Sequence, residues 1–151
     1  MHLKDAADRP EALINRLLSL WESSVRATHH FLSEKDITHL RPVVAEALRH
    51  IPVLMLAMEK ETPVAFLGMD GESVEMLFVD AKFRGCGAGG TLFREAVRRG
   101  AKHVDVNEQN PQALSFYLHM GFVVSGRDDV DGLGLPFPLL HLSIAEKNFS
   151  V

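Results

Sequence analysis

One cysteine, one tryptophan and one tyrosine are all that 151 residues hold of those three types. A lone cysteine, Cys86, excludes an internal disulfide, so a cross-linked secreted scaffold is not expected and a cytoplasmic home is the default. No apolar run approaches the ~18 residues of a membrane span. The opening stretch MHLKDAADRPEAL has no signal-peptide core. Basic residues are in the minority, 16 Lys and Arg against 20 Asp and Glu, and both signs are mixed along the chain. That argues against a nucleic-acid partner, which needs a basic stripe, and against a polybasic membrane anchor. His29, His30, His103 and His141 have no metal-ligand spacing, so no metal is expected. Repeats and low-complexity segments are absent as well. What is left, 46% hydrophobic and 24% charged, has the composition of one globular domain over 1–151.

The hydrophobic pattern divides this domain into elements. Asp8 and Glu11 have the spacing of a reciprocal helix cap, ahead of Ile14, Leu17, Leu18, Trp21 and Val25 at helical intervals. Ser33 and Asp36 repeat the cap before Ile37, Leu40, Val44 and Leu48, with a kink or break expected at Pro42. The stretch ATHHFLSE links the two helices. Then the period shortens: 53–59, 63–69 and 73–80 read as an antiparallel meander, with Asp70-Gly71 as a hairpin turn. Residues 91–100 read as a helix ending at Gly100, 103–106 as a short buried strand, and 111–120 as a helix with Pro111 in its first turn. Strands at 122–126 and 138–144 close the chain across a loop rich in Asp and Gly. The second of these is expected at an exposed sheet edge, where two chains could pair. The order ααβββαβαββ is an α/β (α+β) fold, a mixed central sheet of six to seven strands with four helices.

The segment FRGCGAGG, residues 83–90, is half glycine. Glycine lets backbone approach a ligand and take positive φ, and free N–H groups at a helix start form an anion site. A plain strand-to-helix turn needs one or two glycines, so a phosphate-bearing ligand is expected. A Walker loop would need a lysine that is missing here. Gly85, Gly87 and Gly90 satisfy the dinucleotide fingerprint, with Asp105 near the distance of a ribose-binding acid. That fingerprint follows its strand directly and opens a doubly wound sheet. Here Asp80 to Phe83 intervene after a meander, and too little chain remains.

Parsed instead as Arg84-x-x-Gly87-x-Gly89, after the strand MLFVD and before a helix, the segment resembles the acetyl-coenzyme A signature of the GNAT N-acetyltransferases. Downstream, VNEQNPQALSFYLHMGF resembles that family's second landmark, and the order of elements fits over nearly the whole chain. More narrowly, THHFLSE, DVNEQNPQA and PFPLLH resemble the YjaB-type bacterial acetyltransferases. The resemblance implies transfer of acetyl from acetyl-coenzyme A to a primary amine by direct attack. The acceptor would be a small-molecule amine, a peptide N-terminus or a lysine. A second reading is a coenzyme A-binding sensor that has lost catalysis. Monomer and homodimer both stay open.

Residue roles follow from the same resemblance. The pantetheine arm would lie between strands 73–80 and 103–106, bonded by the backbone of Leu77 and Val79, with Phe78 between them also a cofactor contact. The pyrophosphate would sit on the amides of Arg84, Gly85, Cys86, Gly87, Ala88 and Gly89. Asn110 would contact the pantetheine, or merely cap the helix before Pro111. Tyr117 would protonate the departing thiolate, or simply pack with Phe116. For the base, Glu75, His29 and His30 compete; Glu75 would share a strand face with Leu77 and Val79, where partial burial would raise its pKa. Asn107 and His30 could touch the acceptor. Cys86 reads as a small loop residue rather than a nucleophile, and His141 as a packed strand histidine.

Overall fold

The computed structural model describes residues 1–145, which fall into two compact units, Met1–Ala101 and the residues from Lys102 onward. The first unit holds strands β1 (His2–Asp5), β2 (Val53–Glu59), β3 (Thr62–Asp70) and β4 (Ser73–Val79). Its helices are α1 (Glu11–Thr28), α2 (Glu34–His50) and α3 (Ala88–Arg98), the last preceded by a 3-10 turn at Ala81–Phe83. The four strands run in the order β1-β2-β3-β4, each antiparallel to its neighbour.

Successive strand residues face opposite sides, which separates two packed layers. Leu54, Leu56 and Met58 of β2 and Phe66 of β3 join the buried cluster of Ile14, Leu17, Leu18, Trp21, Val25, Ile37 and Leu48 from α1 and α2. Met76 and Phe78 of β4 pack on that cluster, Phe78 against Phe66 at a ring separation of 5.6 Å. The residues between them, Met55, Ala57, Ala65 and Leu67, are buried outside that cluster, as are Leu92, Phe93 and Ala96 of α3. The α1 stripe expected to be core is core: Leu17 is fully buried and Trp21 nearly so.

Three local expectations fail. β1 pairs with β2 although HLKD shows no apolar alternation. Helix α1 does not use Asp8: Pro10 is its N-cap, with no side chain capping it. A residue before proline is pushed out of the helical region, so the helix starts after Pro10 rather than at Asp8. Helix α2 runs unbroken from Glu34 to His50 with Pro42 inside it, so of the kink or break expected there the break does not occur. Its capping box is present as read, Ser33 Oγ accepting from Asp36 N–H and Asp36 accepting from Ser33 N–H.

The second unit holds β5 (His103–Asn107), α4 (Pro111–His119), β6 (Phe122–Asp128) and β7 (Leu139–Ile144). Strand β7 pairs antiparallel with both β5 and β6. The segment 138–144 is therefore a middle strand and not the exposed edge expected of it; within this unit β5 and β6 flank it on either side. Val104 and Val106 of β5, Phe122, Leu142 and Tyr117 of α4 are buried. In all, the described residues give seven strands and four helices. No described helix is long and apolar enough to cross a membrane.

Candidate functional site

The glycine segment begins on a buried carboxylate. Asp80 follows β4 directly and is 5% exposed. Its Oδ1 accepts from Lys82 N–H at 3.1 Å, which caps the 3-10 turn, and Phe83 N–H returns to the Asp80 carbonyl at 2.8 Å. Burial pushes the Asp80 carboxyl upward, but the Lys82 N–H, Arg16 and Ser23 outweigh it and hold the group below the ordinary carboxylate range.

Beyond the turn the chain needs glycine at two positions. Gly85 has φ 82° and Gly87 has φ 86°, in the left-handed region that side chains oppose. Gly87 is the N-cap of α3, and no side chain caps the helix there. The first-turn N–H groups of a helix have no acceptor within it. An opening made of Gly87, Ala88 and Gly89 therefore presents bare amides at the positive end of an eleven-residue helix. The helix starts three residues before the 91 expected, so Gly89 and Gly90 belong to its first turn. Arg84 and Cys86 are exposed on the loop, and Ala88 is buried beneath it.

Strand β4 offers main-chain groups in alternation. Asp80 N–H donates to the Val64 carbonyl at 2.9 Å, and Phe78 pairs with Phe66 two residues earlier. In an antiparallel ladder this makes Asp80 and Phe78 the bonded positions. The main-chain groups of Leu77 and Val79 then point away from β3. Phe78, between them, has its backbone turned to β3.

The three competing bases lie in different settings. The β3–β4 register steps from Gly68↔Met76 to Met69↔Val74, so Glu75 is the inserted residue of a β-bulge. The alternation that would group it with Leu77 and Val79 is interrupted there, and Glu75 is exposed rather than partly buried. His29 caps the C-terminus of α1, bonds Thr28 Oγ1 at 2.7 Å and lies against the rings of Phe31 and Phe78. Burial, with the charge of His30 adding to it, pushes the His29 imidazole down to about 4. His30 is exposed.

In the second unit, Asn107 Oδ1 accepts from Gln109 N–H at 2.9 Å, closing a turn at the end of β5. Asn110 Oδ1 accepts from Ala113 N–H at 3.2 Å, so it caps α4 ahead of Pro111. Tyr117 is 7% exposed and meets Phe116 edge-on with ring centres 5.2 Å apart. Burial raises its phenol pKa well above the ordinary value, so the hydroxyl keeps its proton across the physiological range.

His141 is more than a packed strand histidine. Its Nδ1 lies 2.6 Å from Asp105 Oδ1 and its Nε2 2.7 Å from Asp128 Oδ2, one carboxylate from each neighbouring strand. Both aspartates raise its pKa. Sequence reasoning could not find this trio, because the residues meet only through strand pairing. Among the described residues no cluster of three or more His, Cys, Asp or Glu could hold a metal ion.

A glycine-capped helix opening, a β4 strand with outward main-chain groups and a bulge above them define the class. The chain belongs to the GNAT acetyltransferase family: the acetyltransferase (GNAT) domain model matches residues 32–137. It is an acetyl-coenzyme A-dependent N-acetyltransferase. In particular, it is 41% identical over 128 residues to the peptidyl-lysine N-acetyltransferase YjaB of Escherichia coli K12, covering 84% of this chain and 87% of that protein. The solution structure of apo YjaB from Escherichia coli superposes with a TM-score of 0.86 at 38% identity, over 97% of this chain and all of that one. The PaiA N-acetyltransferase of Thermoplasma acidophilum, solved with coenzyme A, shares the fold at a TM-score of 0.64 and 18% identity, over 93% and 98% of the two chains.

Proposed function

We propose that this protein acetylates the ε-amine of lysine in a peptide or protein, using acetyl-coenzyme A in a single ternary complex. The observation that carries the cofactor half is the left-handed, side-chain-free N-cap at Gly87, which leaves the first-turn amides of α3 to a pyrophosphate. The peptidyl-lysine activity named for YjaB supports the acceptor half. The whole chain acts as one catalytic domain, since the family match runs from the first unit into the second.

In this reading the lysine nitrogen attacks the thioester carbonyl carbon, and the carbon–sulfur bond breaks. The amine gives up one proton and the departing thiolate takes one, so the products are the amide and free coenzyme A. Outward N–H groups at Leu77 or Val79 polarise the carbonyl, a kind of donor worth roughly 3–4 kcal/mol where tested. Tyr117 supplies the proton for sulfur. Burial keeps the phenol protonated beforehand, so it is a hydrogen-bond donor to the developing thiolate, while the same burial makes it a weaker acid toward sulfur.

His29 is poorly suited to take the amine's proton. Its Nδ1 is bonded to Thr28 Oγ1 and its ring lies against Phe31 and Phe78, so it is held at the helix end rather than offered to an incoming amine. Glu75, exposed in the bulge two residues from Leu77, is assigned the task, directly or through a water. Asn107 and Asn110 hold their elements' ends and Cys86 takes no acyl group.

Two measurements test the proposal together. Saturating coenzyme A should raise the thermal midpoint, by about 2.7 kcal/mol of stability at a hundred times its Kd. Mass spectrometry of lysine peptides incubated with acetyl-coenzyme A should show an added acetyl on the lysine side chain. Acetylation of polyamines or aminoglycosides, with lysine peptides untouched, would transfer the acceptor to small amines. Binding without transfer to any amine would leave a coenzyme A sensor.

A further inference from the structure

Helix α1 reaches across the first unit to the start of the glycine segment with two side chains seven residues apart, hence on one face. Arg16 Nη2 donates to Asp80 Oδ2 at 3.1 Å and to the Pro63 carbonyl at 2.9 Å. Ser23 Oγ donates to Asp80 Oδ1 at 3.4 Å and accepts from Ala81 N–H at 3.3 Å. We propose that Arg16, Ser23 and Asp80 are positioning residues for the cofactor, a buried tether that fixes residues 80–87 for the pyrophosphate and cancels a negative charge close by in the chain.

This rests on the acetyl-coenzyme A reading, and two features of the network favour more than a packing role. A buried carboxylate four residues ahead of Arg84 is out of place beside a site for a doubly negative group, since like charges repel most where water is scarce. Arg16 is the cation that bonds it. Moreover, Arg16 holds Nη2 on Asp80 although its own Nε is buried with no hydrogen-bond partner among the described residues. An orphaned buried donor is unfavourable. The guanidinium is thus held where Asp80 needs it rather than where its own bonding would be complete. Ser23 adds direction: by bonding both Asp80 and the next amide, it sets the angle at which the chain leaves β4.

The test uses the full chain and coenzyme A itself. Arg16→Gln leaves Asp80 uncompensated and should weaken coenzyme A binding about tenfold by calorimetry. The KM for acetyl-coenzyme A should rise by a similar factor, with kcat within about twofold. Adding Asp80→Asn to Arg16→Gln removes the uncancelled charge and should restore most of the affinity. Ser23→Ala, a mild change inside a helix, should cost about two- to threefold in coenzyme A affinity while the unliganded thermal midpoint stays near wild type. If the Arg16→Gln and Ser23→Ala variants bind coenzyme A like wild type, whatever their melting temperatures, the tether is structural only and the inference is overturned. A wild-type protein that does not bind coenzyme A would instead overturn the cofactor reading beneath it.

Discussion

Gly87 and Gly90 lie three residues apart in one motif, yet the structure asks different things of them. Gly87 sits at φ 86° with open space where a Cβ would stand, so Gly87→Ala meets no atom and suffers only the backbone's own opposition. That opposition is roughly 1–2 kcal/mol for an L-residue in the left-handed region. Gly90 lies inside α3, and its added Cβ would come within 3.3 Å of the end of the Arg94 side chain, which can swing aside. Alanine there gains helix propensity, up to about 1 kcal/mol. A chain of this size moves its thermal midpoint about 2–4 °C per kcal/mol. Gly87→Ala should therefore melt about 2–8 °C lower, and Gly90→Ala unchanged or up to about 4 °C higher. Calorimetry in coenzyme A then reads the function. A concentration one hundred times Kd stabilises wild type by about 2.7 kcal/mol; a tenfold loss of affinity cuts this to about 1.4 kcal/mol, so the Gly87→Ala shift should be about half. Equal melting points and equal coenzyme A shifts for Gly87→Ala and wild type would refute the account of the helix opening.

Tyr117→Phe should lower kcat about tenfold or more while leaving coenzyme A affinity unchanged, as steady-state kinetics beside calorimetry will show; equal turnover would remove the acid role. Phe66→Ala, at a fully buried site against Phe78, should cost about 3–5 kcal/mol in denaturant unfolding. His141 has a folded pKa above its unfolded value of about 6.5, so its stabilisation is complete below that pH and fades as pH rises through the folded value. The stability gap between wild type and His141→Gln should thus be larger at pH 6 than at pH 9, measured by urea unfolding at both. Cys86 is exposed on the glycine loop, so saturating coenzyme A should slow its alkylation by a maleimide, followed by mass spectrometry.

Features governed by near neighbours in the chain were open to reading from residues alone. The Ser33–Asp36 box and the Asp70-Gly71 turn depend on contacts a few residues long, and the meander and the paired landmarks around Gly87 and Tyr117 are written in consecutive stretches of chain. Local rules failed where two of them competed. Pro10 overrode the Asp8–Glu11 spacing, and the packing of Ala45 and Leu48 carried α2 past Pro42. Polar HLKD became a strand only because β2 offered it an edge.

The site followed the same division. Its residue types and the helix opening were written in order along the chain, because a glycine's freedom and a helix's bare amides are properties of a short segment. Whether Glu75 shares a face with Leu77 depended on a bulge in the pairing of two strands. The descent of the His29 pKa depended on which rings closed over it. Arg16 and Asp80 stand 64 residues apart, and Asp105 and His141 stand 36 apart. Charge partnerships at those separations are settled by packing, since they exist only once apolar burial has brought distant strands and helices together.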